Sequence, residues 1–488
     1  MTWKTDIQAN ILRGLPAWRA EYRFVRFPSC DDLQSFTRRV LPHVRDAAWQ
    51  RNRFPAKTRM GHAVLNLAFT RQGIELAAGT GGYQPDDLRR DELDESQLVS
   101  RTSDGFASTP IEPGETTIDD RPTEPTVEKT PNSMFRRLDV LGESPGASWL
   151  DAWKTEEIHA LAWISGPADG VPPIGGPTVD RLTAKVIDGS HGDVEEISAL
   201  AMSGIRDENS LGPFGFKDGV SQPAVAGFHT EREIIGRGAW TGRGWRGLAP
   251  GEFIVGEVDE GGERRRPLPA DILHNCTYLV FRDLEMFPER LYELQDEYGE
   301  RFGVAPETIG EWFVGRHRPG DGNAGTSLMV DGPAEDLDFV YGFDPEGLRC
   351  PLGAHIRRAN PRDMLGREGQ RANRHRIIRR GMPSYQPGTR NPIGLAFIAL
   401  QARIEDQFEF VQARWLNTGP TLHVGQDPDP IAGVLATGVR SPRFVRQGAP
   451  VRIVSLPDAD GVPLSEVRGG EYFVLPSLPG LRVLAGYE

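Results

Sequence analysis

Gly394 to Phe408, GLAFIALQARIEDQF, is an apolar run of strand length that passes at Gln401 into charged chain with helical spacing. Leu65 to Ala77, LNLAFTRQGIELA, has the same plan far upstream, again with a glutamine near the junction. A short apolar run followed at once by helical periodicity reads as a strand–helix unit, and two such units predict a duplicated fold. The flanks agree. Tyr22 to Phe27 alternates as a strand, and Asp31 or Asp32 can cap DLQSFTRRVLPHV, where Leu33, Phe36, Val40 and Leu41 have helical spacing. RQGIELAAG reads as a short helix stopped by glycine, Thr178 to Ile187 as a helix, and His159 to Ile164 and Ile197 to Met202 as strands. Cys276 to Phe281 is a strand before the helix MFPERLYELQDEYGERFG, and EDQFEFVQARWLN follows GLAFIALQ as a helix. The expected class is α+β, two ferredoxin-like units of the dimeric α+β barrel type.

At 488 residues the chain exceeds one ordinary core. We expect an N-terminal domain over residues 1–230, a connector over 231–270 and a C-terminal domain over 271–488. Gly81 to Asn132, rich in Asp, Glu, Pro and Thr, reads as a long acidic surface insertion. Gly236 to Gly247, GRGAWTGRGWRG, reads as a flexible connector. The two matched strands differ in their surroundings: the second copy carries much extra chain, where function can be grafted onto a repeated scaffold. Basic residues number 56 against 69 acidic, a net charge of −13, which opposes general affinity for nucleic acid or anionic membranes. Cys30, Cys276 and Cys350 are isolated and give neither a disulfide framework nor a zinc spacing. MTWKTDIQANILRG has no apolar core of signal-peptide length and no twin-arginine pair, so a cytoplasmic location and no membrane partner are expected.

The extra chain contains Cys350 to Tyr385, CPLGAHIRRANPRDMLGREGQRANRHRIIRRGMPSY, with His355 among small residues and then nine arginines before Met382. A histidine followed by fixed cations suits an iron porphyrin: the imidazole ligates iron, and guanidiniums neutralise propionates and developing anions. A basic run could also read as an RNA patch, a reading that the net charge counts against. Most histidines are surface or satisfied core residues; Gly353 and Ala354 beside His355 leave room for a planar cofactor. Cys350 is a rival thiolate ligand, ranked below His355, with a buried apolar cysteine as its simpler reading. Gly212 to Pro223, GPFGFKDGVSQP, sets Asp218 in a GxxDG pattern among Phe214, Phe216, Val220 and Pro223. Asp-Gly is ordinary turn chemistry, but burial there would raise the carboxyl pKa and suit a proton shuttle. Arg379 and Arg380 are either solvated turn residues or a guanidinium over the open face of the iron. No GxGxxG opens a βαβ unit, and HExxH, GxSxG and a phosphate loop are absent.

These stretches, with DIQANILRG near the start, FEFVQARWLN and GGEYFVLPS, follow the order of motifs in one family. The chain resembles a dye-decolorizing peroxidase over nearly its whole length. The resemblance implies a duplicated ferredoxin-like fold with non-covalent haem b in the C-terminal half. It places Asp218 on the distal aspartate, His355 on the proximal iron ligand and Arg379 on the distal arginine. It matches Arg362, in NPR, to a propionate contact and Leu395 and Phe397 to the distal pocket. Ala396 stands where the family usually has a larger apolar residue, which puts pocket shape in question. Glu405 or Asp406 is a candidate to accept a hydrogen bond from the other nitrogen of His355. The implied reaction reduces hydrogen peroxide through a ferryl-oxo species and oxidises bulky aromatic, dye-like or phenolic substrates by single electrons, at the haem edge or through a surface Trp or Tyr. The alternative is a haem-handling protein, which needs neither Asp218 nor Arg379 on the open face.

Overall fold

The computed structural model describes residues 3–53, 62–78, 127–128, 133–143, 148–167, 176–188, 191–206, 211–320, 325–331, 337–385, 392–418, 428–433, 440–446, 451–457 and 463–487, apart from positions 16 and 268. The expected acidic insertion lies outside the described residues except for the short strand Val127–Glu128.

Eight strands build the core: β1 (Arg19–Arg26), β2 (Val64–Phe69), β3 (Ala160–Gly166), β4 (Met202–Ile205), β5 (Thr277–Met286), β6 (Met382–Tyr385), β7 (Pro392–Gln401) and β8 (Ser465–Leu475). The first four lie in the order β4-β1-β3-β2, and the last four in the order β8-β5-β7-β6. Each half therefore has the ferredoxin-like order 4-1-3-2 in its own numbering, which is the duplication expressed in topology. Antiparallel pairing runs from every strand to the next, and β5 returns to pair with β7, so the eight strands close into a ring. Two seams join the halves, each through one residue pair: Ser384 with Gly204, and Val474 with Phe69. At the first seam a Cβ on Gly204 would stand 3.0 Å from the Met382 Cβ, so the glycine admits the neighbouring strand.

Aromatic side chains from both halves meet in the main core. Phe24 lies 5.0 Å from Phe281 and 6.2 Å from Phe473, ring to ring, and Tyr22 lies 5.4 Å from Phe281. Helices α1 (Cys30–Val40), α2 (Arg71–Ala78), α3 (Val179–Val186), α4 (Pro288–Phe302) and α5 (Pro306–Val314) fall where the spacing predicts, α5 excepted, which the sequence reading did not separate. The cap of α1 is Ser29, whose hydroxyl accepts from the Asp32 N–H. Asp31 and Asp32 instead occupy the first turn, where a helix favours negative charge.

Several expectations change. Ile197 to Met202 is no strand: Ile197 and Leu200 are both buried at a spacing of three, which a 3-10 turn over Ser198–Leu200 satisfies, and β4 starts at Met202. EDQFEFVQARWLN forms two π-helical stretches, Ile404–Glu409 and Val411–Leu416. The Gly-Arg-Trp connector is an ordered hairpin, Ala239–Trp240 against Trp245–Arg246. Trp245 Nε1 donates to Asp338 Oδ1 at 2.7 Å, and Arg246 pairs with Glu260 at 2.6 Å. LNLAF and GLAFIALQ are not equivalent strands, since β2 is the second strand of its half and β7 the third of its own. The extra chain of the second copy is real all the same. It separates the first and second strands of that half, residues 287–381 against 27–63 in the first half, and it holds His355.

Candidate active site

His355 opens a five-residue helix, α6 (His355–Ala359). Its Nδ1 lies 3.1 Å from both oxygens of Asp429. The Asp429 side chain is fully buried, and Oδ1 also accepts from the Ile431 and Ala432 N–H groups at 2.9 and 2.8 Å. Burial pushes this carboxyl up, but the His355 imidazole, the Arg358 guanidinium and the Ala432 N–H outweigh it and hold the group below its ordinary value. An ionised carboxylate can only accept, so the shared hydrogen sits on Nδ1 and the Nε2 lone pair is left for a metal. A carboxylate behind a histidine is the arrangement that fixes ring orientation and raises ligand basicity.

Asp218 sits between Gly215 (φ 76) and Gly219 (φ 77), both left-handed, and Ser221 (φ 58) follows. Three such residues give the loop a tightly specified path. The Asp218 carboxylate is a quarter exposed, with Arg379 Nη1 at 3.8 Å from Oδ1 and Arg206 Nη2 at 3.5 Å from Oδ2. The apolar surroundings expected from Phe214, Phe216 and Val220 are therefore not what the carboxylate meets: the rings turn into the core, and two guanidiniums face the acid. Arg379 pairs with Ala399 in an antiparallel register. Residues opposite one another point the same way, so Arg379 shares the face of β7 that carries Leu395 and Phe397. Ala396 and Ile398 alternate inward to the core, so Ala396 does not shape this face.

The two residue groups border one apolar cluster. Phe214 and Phe216 from the Asp218 loop are buried in it with Ile309 and Phe313 of α5. Ile356, next to His355, Leu395 of β7, and Ile431, two residues after Asp429, pack against the same cluster.

Close by lies positive charge without matching carboxylates. Arg362 and Arg376 are buried and Arg380 is partly buried, and among the described residues none makes an ion pair within 4 Å. Arg362 donates to the Leu337 and Phe339 carbonyls, Arg376 to those of Arg237 and Gly238, and Arg380 to those of Asn10, Ile11 and Arg379. Burial first, and then neighbouring guanidiniums, push Arg362 down to about 10 and Arg376 and Arg380 down to about 9. A guanidinium keeps its proton at any working pH, so these shifts signal a region that favours an anion. A planar apolar group with carboxylates and a metal needing one nitrogen ligand suits this donor set.

The structure thus brings Asp218 to Arg379 and places Leu395 and Phe397 on the arginine's face. Of the two adjacent arginines, Arg379 reaches the carboxylate, while Arg380 clamps the N-terminal DIQANILRG segment. Glu405 and Asp406 do not pair with His355. Glu405 lies 3.7 Å from Arg137, and Asp406 lies 3.4 Å from Arg265 and 3.5 Å from Arg403. Their place is taken by Asp429, which the sequence reading missed. In the QDPDP run its neighbours suggest only a turn, and its partner lies 74 residues earlier. Arg206 was missed too, as an ordinary arginine at a strand end. Cys350 is buried in its own small cluster with burial pushing its thiol up to about 12, which suits a core cysteine and not a thiolate ligand.

Comparison with known proteins gives a consistent family. The chain is 31% identical to the multifunctional dye peroxidase DyP2 of Amycolatopsis sp. over 60% of its own length and 67% of that protein. It is 25% identical to the dye-decolorizing peroxidase msp1 of Mycetinis scorodonius over 98% of its own length and 87% of that protein. The fold matches the crystal structure of a DyP-type peroxidase from Anabaena sp. at a TM-score of 0.72, 20% identity, and coverage of 99% of this chain and 95% of that one. A dye-decolorizing peroxidase solved with 2,6-dimethoxyphenol matches at a TM-score of 0.70 and 20% identity over 99% of both chains. No protein-family model matches.

Proposed function

The chain belongs to the dye-decolorizing peroxidase family, a haem-dependent group of oxidoreductases, and from that premise we propose which of its residues carry the reaction. Haem fits the residues present. His355 Nε2 would ligate the iron, Arg362 would meet a propionate, and Leu395 and Phe397 would line the opposite face. With no CxxCH in the sequence, the haem is b-type and held without thioether bonds. When bound, it supplies the redox centre that accepts two oxidising equivalents from hydrogen peroxide and returns them one electron at a time.

Asp218 takes the proton from one peroxide oxygen and delivers it to the other, which leaves as water. Arg379 donates to that leaving oxygen and stabilises the negative charge that builds on it. Asp429 holds His355 in its tautomer and keeps Nε2 basic. The observation that carries this reading is the pairing of Asp218 with Arg379 beside the same apolar cluster that borders His355 and Asp429. A haem carrier needs no such acid–guanidinium pair. The reducing substrates are bulky aromatic, dye-like or phenolic molecules. The chain divides, in this reading, at a connector over 231–270, with 1–230 and 271–488 on either side, and the repeated strand order supports the division. No described helix is long and apolar enough to cross a membrane.

The test is the visible spectrum of the purified protein before and after one equivalent of peroxide. A Soret band that converts and then recovers on adding a reducing dye is the expected result. A band that only bleaches would favour haem handling, and no band after adding haemin would remove the proposal. Within the same reading, Asp429→Asn is expected to weaken haem retention by roughly 10- to 100-fold. Transfer of haem to an acceptor apoprotein measures it; transfer at the wild-type rate would show that Asp429 does not act through His355.

A further inference from the structure

Arg206 follows β4, in the first half of the chain, and its backbone N–H donates to the Trp18 carbonyl at 2.9 Å. Its Nη2 donates to the Gly381 carbonyl at 2.9 Å and stands 3.5 Å from Asp218 Oδ2. One guanidinium therefore touches the Asp218 loop and the Arg379–Gly381 turn together. Arg379 approaches the other oxygen, Oδ1, at 3.8 Å, and its side chain is 38% exposed against 23% for Arg206. Both residues have a backbone acceptor, since Arg379 Nη2 donates to the Val220 carbonyl at 3.2 Å. The acceptors differ: Arg379 is tied to the acid's own loop at Val220, Arg206 to Gly381, two residues after Arg379.

We infer that Arg206 is a positioning residue for the peroxide reaction, holding the Asp218 carboxylate in place while Arg379 turns to the leaving oxygen. The inference rests on the role proposed for Asp218. A carboxylate fixed by Arg379 alone would lose its partner at the moment that guanidinium is needed elsewhere. A second cation, anchored to the Gly381 carbonyl, removes that conflict and keeps the proton acceptor within reach of the peroxide. The half of the chain without His355 thereby supplies part of the reactive geometry.

A double-mutant cycle separates positioning from plain structural support. The variants are Arg206→Leu, Arg206→Lys, Asp218→Asn and the combination of Arg206→Leu with Asp218→Asn, each in the haem-loaded protein. Stopped-flow absorption gives the second-order rate constant for hydrogen peroxide. Arg206→Leu is expected to lower it about tenfold, a typical effect of misplacing a general base. Arg206→Lys, which keeps the charge, is expected to recover most of the loss. In the Asp218→Asn background the Leu substitution is expected to change the rate less than about twofold, because there is no carboxylate left to position. The same cycle read by the dissociation constant for cyanide, whose binding as the anion also needs a proton acceptor, requires no turnover and should show the same dependence. An equal loss in both backgrounds overturns the proposal and makes Arg206 structural. An Asp218→Asn rate equal to wild type would overturn the role of Asp218 itself, a distinct result. Should Arg206→Leu fail to fold, Arg206→Gln, which retains a donor for Gly381 while removing the charge, carries the same cycle.

Discussion

Replacing His355 by alanine is expected to leave a protein that no longer retains haem. In the proposed assignment the Nε2 lone pair is the nitrogen ligand offered to iron, and the contacts that remain, an apolar cluster and buried cations, give no bond to the metal. The substitution also strands Asp429, whose side chain is fully buried. Leaving one member of a buried pair alone costs several kcal/mol in general. Here the cost should be on the order of 2 kcal/mol, because two backbone N–H groups still serve the carboxylate and the imidazole was partly exposed. The ratio of Soret to 280 nm absorbance measures the first effect and thermal melting of the apoprotein the second. His355→Gly with added imidazole should restore the band, since the small ligand can occupy the vacated space against Asp429. Stoichiometric haem in His355→Ala would disprove the ligand assignment.

Arg379→Leu is expected to slow the reaction with hydrogen peroxide by roughly 10²- to 10³-fold, the range found when one preorganised donor to a developing anion is removed. Haem content and thermal stability should change little. The Arg379 side chain is over a third exposed, and its side-chain partners are the Val220 carbonyl and the edge of Asp218. Its neighbour is the contrast. Arg380 donates to the Asn10, Ile11 and Arg379 carbonyls, so Arg380→Leu would abandon three acceptors and act on folding. A wild-type rate in Arg379→Leu would refute its role, and a loss of rate equalled by a loss of fold would reassign it to structure.

Much of this was legible in the sequence because the informative residues sit in short, locally constrained segments. β1, β2, β3 and β7 could be read from apolar runs, and His355, Asp218 and Arg379 from turns rich in glycine and arginine. What escaped depended on distance or on burial. Asp429 meets His355 across 74 residues, and no local pattern marks that meeting. Glu405 and Asp406 were plausible because of their charge, yet the π-helical path turns them toward Arg137, Arg265 and Arg403. The arginine run was read as fixed cations for propionates and developing anions; four of its members, Arg357, Arg358, Arg362 and Arg376, are buried, each donating to main-chain carbonyls. A one-dimensional charge pattern does not distinguish a guanidinium that faces solvent from one that caps the backbone. The repeat was recognised from two segments that occupy different places in their units, because strand–helix periodicity repeats within a ferredoxin-like half as well as between halves.

The way distant segments of the chain are tied has a consequence for biosynthesis. Gln8 donates to the Pro476 carbonyl, 468 residues away, and Asn10 and Ile11 wait for Arg380. β5 can pair along its full length only when β8 has been made, the last strand of the ring. On the ribosome, therefore, Gln8, Asn10 and Ile11 emerge long before their native partners at Arg380 and Pro476 exist. Asp429 likewise reaches His355 only after most of the chain has been synthesised. Any sheet that forms before β8 is made has unpaired edges, a state prone to association with other chains. Assembly of the histidine–carboxylate pair therefore waits until residue 429 has been made.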